Sequence, residues 1–165
     1  MFAWGKDTTG QISYRFNQQG FRNDRDYDWV PEYAFFGNSI IFGVGVPQTQ
    51  ILCSHFANSH NYGLADQYLN QHSVYNLREF LKSDMYNRDT KIVFFWVDRG
   101  QEKVNDQLQQ VIAMRPDILN ISSGVKRPGA INLMPAIDSD VSGTHPGCKT
   151  HKIWARTIQQ LFARA

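Results

Sequence analysis

The chain has 165 residues, enough for one domain with a real core. Its 42% hydrophobic and 19% charged content exclude a disordered chain. The formal net charge is +2 and the 17 basic residues are scattered, which argues against nucleic acid as a partner.

Residues 1–30 are polar and broken by Gly5, Gly10 and Gly20, yet they hold Trp4, Tyr14, Phe16, Phe21, Tyr27 and Trp29. So many aromatics predict an arm packed on a body of residues 31–165, with a short strand near 12–16. "EYAFFG" (32–37), short and apolar after Pro31, predicts a buried strand. "TQILCSHFA" (49–57) has apolar residues at helical spacing, and "NSHNYGLADQ" after it reads as a loop. "YLNQHSVYNLREFLKS" (68–83) predicts an amphipathic helix.

"KIVFFWV" (91–97) is the strongest strand, continuous and β-branched or aromatic after Lys91, as expected of a strand covered on both faces. A helix over 101–116 stops before Pro116, a short strand follows over 117–122, and "VKRPGAINLMPAIDSDVSG" reads as loop. "CKTHKIWARTIQQLFARA" closes the chain as a helix. Strands alternating with helices predict an α/β fold, a mostly parallel sheet with helices on both faces. Functional sites in such sheets form at the carboxyl ends of the strands.

Cys53 and Cys148 make neither a disulfide framework nor a metal-ligand spacing, and free thiols are the expectation. No metal site and no cofactor is expected. No basic segment followed by an apolar one opens the chain, and no run approaches the roughly 18 apolar residues of a membrane helix. A soluble, cytoplasmic protein without a membrane partner is the expectation. Oligomeric state leaves no trace in the sequence.

"FFGNSIIFGVGVP" (35–47) places Ser39 where a strand ends and a Gly-rich turn begins. A turn explains Gly37-Asn38-Ser39 on steric grounds. A nucleophile explains it as well, given a base within hydrogen-bond reach and donors for an oxyanion. Five histidines are candidates for the base. His55 and His72 lie in predicted helices, His60 in a loop, and His151 in the last helix with surface as its default. His145, in "SGTHPG", is held on a loop stiffened by Pro146, which suits a base that points into a site.

These blocks resemble the SGNH (GDSL-type) hydrolases. "FFGNSIIFGVGVP" is similar to the family's first block, in which a Gly-Asp-Ser or Gly-Asn-Ser carries the nucleophile. "GTHPG" followed by "KTHKIWA" is similar to the last block, DxxHP, whose His is the base. "YRFNQQGFRN" resembles the lead-in of many short members, so the likeness runs from about Tyr14 to the C-terminus.

The resemblance implies a flavodoxin-like three-layer α/β/α sandwich and hydrolysis of a small-molecule or carbohydrate ester through an acyl-enzyme. Ser39 becomes the nucleophile, with its own N–H as one oxyanion donor beside Asn38. Gly63 supplies a second N–H, and His145 is the general base.

Two positions depart from the pattern. The third block, GxND, reads "WVDRGQE", so Asp98 stands near the place of the oxyanion-binding Asn, and an ionised carboxylate accepts hydrogen bonds where a donor is needed. The DxxH aspartate is Ser142, which leaves Asp140, Asp138 or a backbone carbonyl to orient His145. Two functions follow as alternatives: a serine esterase or deacylase, and a catalytically weak or inactive binding or structural protein on the same fold.

Overall fold

The computed structural model of the chain describes residues 3–65, 70–97 and 101–165. Its centre is a sheet of five strands, all parallel. The strands are β3 (Tyr33–Gly37), β4 (Ser59–Gly63), β5 (Lys91–Trp96), β6 (Leu119–Ser123) and β7 (Ile131–Leu133), in the order β4-β3-β5-β6-β7. A separate antiparallel hairpin, β1 (Ala3–Lys6) and β2 (Ser13–Phe16), precedes it. The helices are α1 (Ser39–Phe42), α2 (Asn70–Lys82), α3 (Gln101–Met114) and α4 (Cys148–Arg164). This strand order is that of a flavodoxin-like doubly wound sheet, and the architecture is a three-layer α/β/α sandwich.

Alternation along the central strands builds the layers. Ala34 and Phe36 of β3 and Ile92, Phe94 and Trp96 of β5 face one side, where they meet Val74, Leu77 and Phe80 of α2 and Val104, Leu108 and Val111 of α3. Phe35, Val93 and Phe95 face the other side, against Ile51, Leu52, Trp154 and Ile158. A strand with two covered faces has no polar position to spare, which is why "IVFFW" is apolar after the half-buried Lys91. Each buried Val, Leu, Ile or Phe of these layers contributes about 1.5–3 kcal/mol by leaving water.

Segment 49–57, expected as a helix, forms two 3-10 turns at Gln48–Gln50 and Leu52–His55. Ile51, extended at φ −67°, ψ 159°, separates them and buries its side chain in the core. Residues 59–63, expected as loop, are strand β4 at the sheet edge. The loop at 125–143 likewise contains β7, and 3–6 pairs as β1.

β4 escapes a pattern search because it is Ser-His-Asn-Tyr-Gly, and its burial comes from the arm. Tyr27 stacks on His60 with ring centres 3.8 Å apart. Its hydroxyl donates to the Asn61 carbonyl and accepts from the Asn61 N–H, both at 2.7 Å. One arm side chain therefore occupies the outer backbone groups that an edge strand leaves open.

Cys53 and Cys148 are free thiols, and burial pushes Cys53 up to about 12. Among the described residues no helix is long and apolar enough to cross a membrane.

Candidate active site

Sheet order places the site. From β3 the chain steps to β4 on one side, then crosses to β5 on the other. The carboxyl end of β3 is thus the point where the winding direction reverses, and a crevice opens there in doubly wound sheets. Ser39 is the first residue of α1, immediately beyond that end. Asn38 caps the helix: its side-chain oxygen accepts from Ile40 N at 3.3 Å and its carbonyl from Phe42 N at 2.9 Å. Asn38 is buried, while Ser39 is half-buried. The Ser39 N–H belongs to the first turn of the helix, where N–H groups lack intrahelical partners.

The arm holds the turn that ends α1. Arg22 is fully buried, and its guanidinium donates to the carbonyls of Phe42 at 3.0 Å, Gly43, and Val46 at 2.6 Å. Its carbon lies 4.4 Å from the centre of the Tyr14 ring, whose hydroxyl accepts from Gly45 N at 2.9 Å. Burial lowers the Arg22 pKa to about 10, so it stays a cation at neutral pH. A cation at the carbonyl end of a helix is favourably placed. The sequence placed Tyr14 and Arg22 only within the lead-in "YRFNQQGFRN", with no role for either side chain.

The His145 loop closes on the same turn. Gly45 packs against the Asp140 side chain so tightly that an added Cβ would stand 2.6 Å from Cγ and closer still to Oδ2. The Asp140 side chain is 0% exposed. It accepts from Ser142 Oγ at 2.8 and 2.9 Å, Thr144 N at 3.0 Å and His145 N at 3.2 Å. Burial alone would raise its pKa, but these donors hold it below the ordinary carboxylate value.

The imidazole reaches that carboxylate indirectly. His145 Nδ1 lies 3.9 Å from Asp140 Oδ2, beyond hydrogen-bond length. Its near partner is Thr144 Oγ1 at 2.9 Å, which is 2.6 Å from Ser142 Oγ. Asp138 is committed elsewhere: its carboxylate accepts from Lys149 N at 2.9 Å and Thr150 N at 2.8 Å, and so caps α4. A cavity of about 320 Å³, lined by Ile137, Gly143, Thr144, His145 and Pro146 among others, borders the imidazole.

Of the predicted residues, Asn38 and Ser39 stand together at the end of β3, and Asp140 and His145 stand together on the loop that meets Gly45. No hydrogen bond joins Ser39 Oγ to His145. Gly63 lies against the backbone of α1, where an added Cβ would come within 2.6 Å of the Ile41 carbonyl carbon. Its N–H donates to Asn61 Oδ1 at 2.9 Å. Asp98 lies outside the described residues.

The other histidines separate by burial. His60 is fully buried, and desolvation, then the charge of Arg25, lowers its pKa to about 3. His151, expected at the surface, is 1% exposed. Its Nδ1 accepts from Leu52 N at 2.9 Å, and burial lowers its pKa to about 4. No group of three or more His, Cys, Asp or Glu side chains gathers as a metal site among the described residues. The chain matches no known protein family, no curated protein and no solved structure.

Proposed function

We propose that the protein is a serine ester hydrolase of the SGNH type, an esterase or deacylase that works through an acyl-enzyme on Ser39 with His145 as general base. The observation that carries this reading is placement: a serine at the switch point of a doubly wound sheet, next to a turn on which a buried aspartate and a histidine loop are docked.

In the proposed reaction Ser39 Oγ attacks the ester carbonyl while His145 Nε2 takes its proton. The tetrahedral oxyanion is stabilised by the Ser39 N–H, a first-turn donor of α1. His145 then protonates the leaving alcohol. Water, deprotonated by the same imidazole, hydrolyses the acyl-serine. The substrate class is a small-molecule or carbohydrate ester.

Two observations favour the second reading, a binding or structural protein with little catalysis. The Gly63 N–H already has Asn61 Oδ1 as its partner, and Ser39 Oγ is not bonded to His145. One missing oxyanion donor elsewhere costs roughly 10²–10³ in turnover.

The test is hydrolysis of p-nitrophenyl acetate by the full chain beside Ser39→Ala and His145→Ala, together with labelling by a fluorophosphonate. Hydrolysis and labelling that both vanish in Ser39→Ala support the esterase. A folded wild type that neither hydrolyses the ester nor labels, at rates equal to Ser39→Ala, overturns it in favour of the second reading.

A further inference from the structure

We propose that Ser142 and Thr144 are positioning residues that carry the influence of Asp140 to His145 through two hydroxyl groups, so that Nδ1 keeps the proton and Nε2 is left as the base. This rests on the reading of His145 as the general base.

The polarity follows from counting protons. An ionised carboxylate only accepts, so Ser142, within 2.8–2.9 Å of both Asp140 oxygens, must donate its one hydroxyl proton there. Ser142 Oγ can then only accept from Thr144 Oγ1, at 2.6 Å. Thr144 has now used its own proton, so its oxygen accepts from His145 Nδ1, at 2.9 Å. Each link determines the next, and the last one puts the proton on Nδ1. The direct path is closed, because Asp140 Oδ2 stands 3.9 Å from Nδ1.

The first link is secure because the carboxylate is held ionised. Its side chain is wholly buried, and the Thr144 and His145 N–H groups donate to it along with Ser142. The backbone reinforces the cup: Asp140 N donates to the His145 carbonyl at 2.8 Å, and Gly143 N to the Asp140 carbonyl at 3.1 Å. In the Ser-His-Asp template a carboxylate on Nδ1 selects the same tautomer directly. Here the serine in the aspartate's usual place, three residues before the histidine, becomes a link in the path.

The experiment reads the tautomer itself and needs no substrate. The full chain is labelled at both ring nitrogens of histidine, and one- and two-bond proton–nitrogen correlations are recorded at mildly alkaline pH. His145→Gln assigns the signal. His151 is an internal control: its Nδ1 accepts from Leu52 N, so it must show the opposite form, with the proton on Nε2.

The expected result is Nδ1–H at His145 in the wild type. Thr144→Val shifts it toward Nε2–H, the form the unconstrained neutral histidine side chain prefers, Thr144→Ser restores it, and His151 is unchanged throughout. Nε2–H at His145 in the wild type, or Nδ1–H that survives Thr144→Val, overturns the proposal.

With ester as substrate, Thr144→Val is expected to lower kcat about 10–100-fold with little change in KM, below the roughly 10⁴-fold loss seen when the template's aspartate is altered. A wild type with the expected tautomer but no hydrolysis would refute the esterase reading and leave the hydroxyl relay standing. Hydrolysis with the wrong tautomer would do the reverse.

Discussion

Gly45→Ala separates two costs that a glycine can conceal. Gly45 has φ +69°, a left-handed conformation that costs an L-residue about 1–2 kcal/mol. The new methyl group would also strike the buried Asp140 side chain, 2.6 Å from Cγ and 2.8 Å from Cβ. Overpacking of this kind costs about 1–3 kcal/mol, and the neighbour here is a short, fully bonded side chain that cannot swing away. The sum is about 2–5 kcal/mol.

Gly10 supplies the control. Its φ is +72°, yet an added Cβ would meet nothing within 4 Å. Gly10→Ala should therefore show the conformational cost alone, about 1–2 kcal/mol. For a chain of this size these figures correspond to a fall in Tm of about 4–20 °C for Gly45→Ala and about 2–8 °C for Gly10→Ala. Thermal unfolding followed by circular dichroism measures both. Equal shifts in the two variants would refute the claim that Asp140 is seated on Gly45. A larger shift at Gly45, accompanied by a changed His145 environment in the histidine spectra, would confirm that this contact joins the turn after Ser39 to the His145 loop.

Arg22→Met should destabilise by about 2–6 kcal/mol, because the Phe42 and Val46 carbonyls lose their donor at about 1–3 kcal/mol each, while the Gly43 carbonyl keeps Val46 N; urea unfolding with a loss below 1 kcal/mol would contradict this. Burial holds His151 near pKa 4 and His60 near 3, both below the ordinary 6.5, so the unfolded chain takes up these protons first. The stability these neutral rings contribute is present above about pH 6.5 and lost as pH falls toward 4, by up to about 1.4 kcal/mol per pH unit for each ring. His151→Asn, which keeps an acceptor for Leu52 N but cannot titrate, should flatten the acid limb of the urea midpoint against pH; an unchanged limb would refute the assignment.

Composition and periodicity determined the frame of this protein. The apolar run 92–97 could only be satisfied between two covering layers, and β5 lies between Phe80 and Leu108 on one side and Trp154 on the other. The amphipathic stripes marked α2, α3 and α4 to within a few residues, because one wet face and one dry face leave a 3.6-residue signature in any sequence. The Gly-Asn-Ser junction and the His-Pro loop were visible as local chemistry, and only the family resemblance, not periodicity or spacing, implied that they meet.

Tertiary structure decided the rest, for reasons that no local window contains. β4 is polar in every residue but Tyr62 and Gly63, and it is a strand because Tyr27, thirty-odd residues earlier, covers His60 and bonds Asn61. His151 is buried because the 3-10 turn at Leu52 presents an N–H to it. Asp138 and Asp140, indistinguishable in "IDSDVSG", part company because one meets the first turn of α4 and the other the backbone of its own loop beneath Gly45. Side-chain hydrogen bonds and close backbone approaches depend on which surfaces the fold brings together. Sequence spacing carries the periodic burial of apolar groups and little of that pairing.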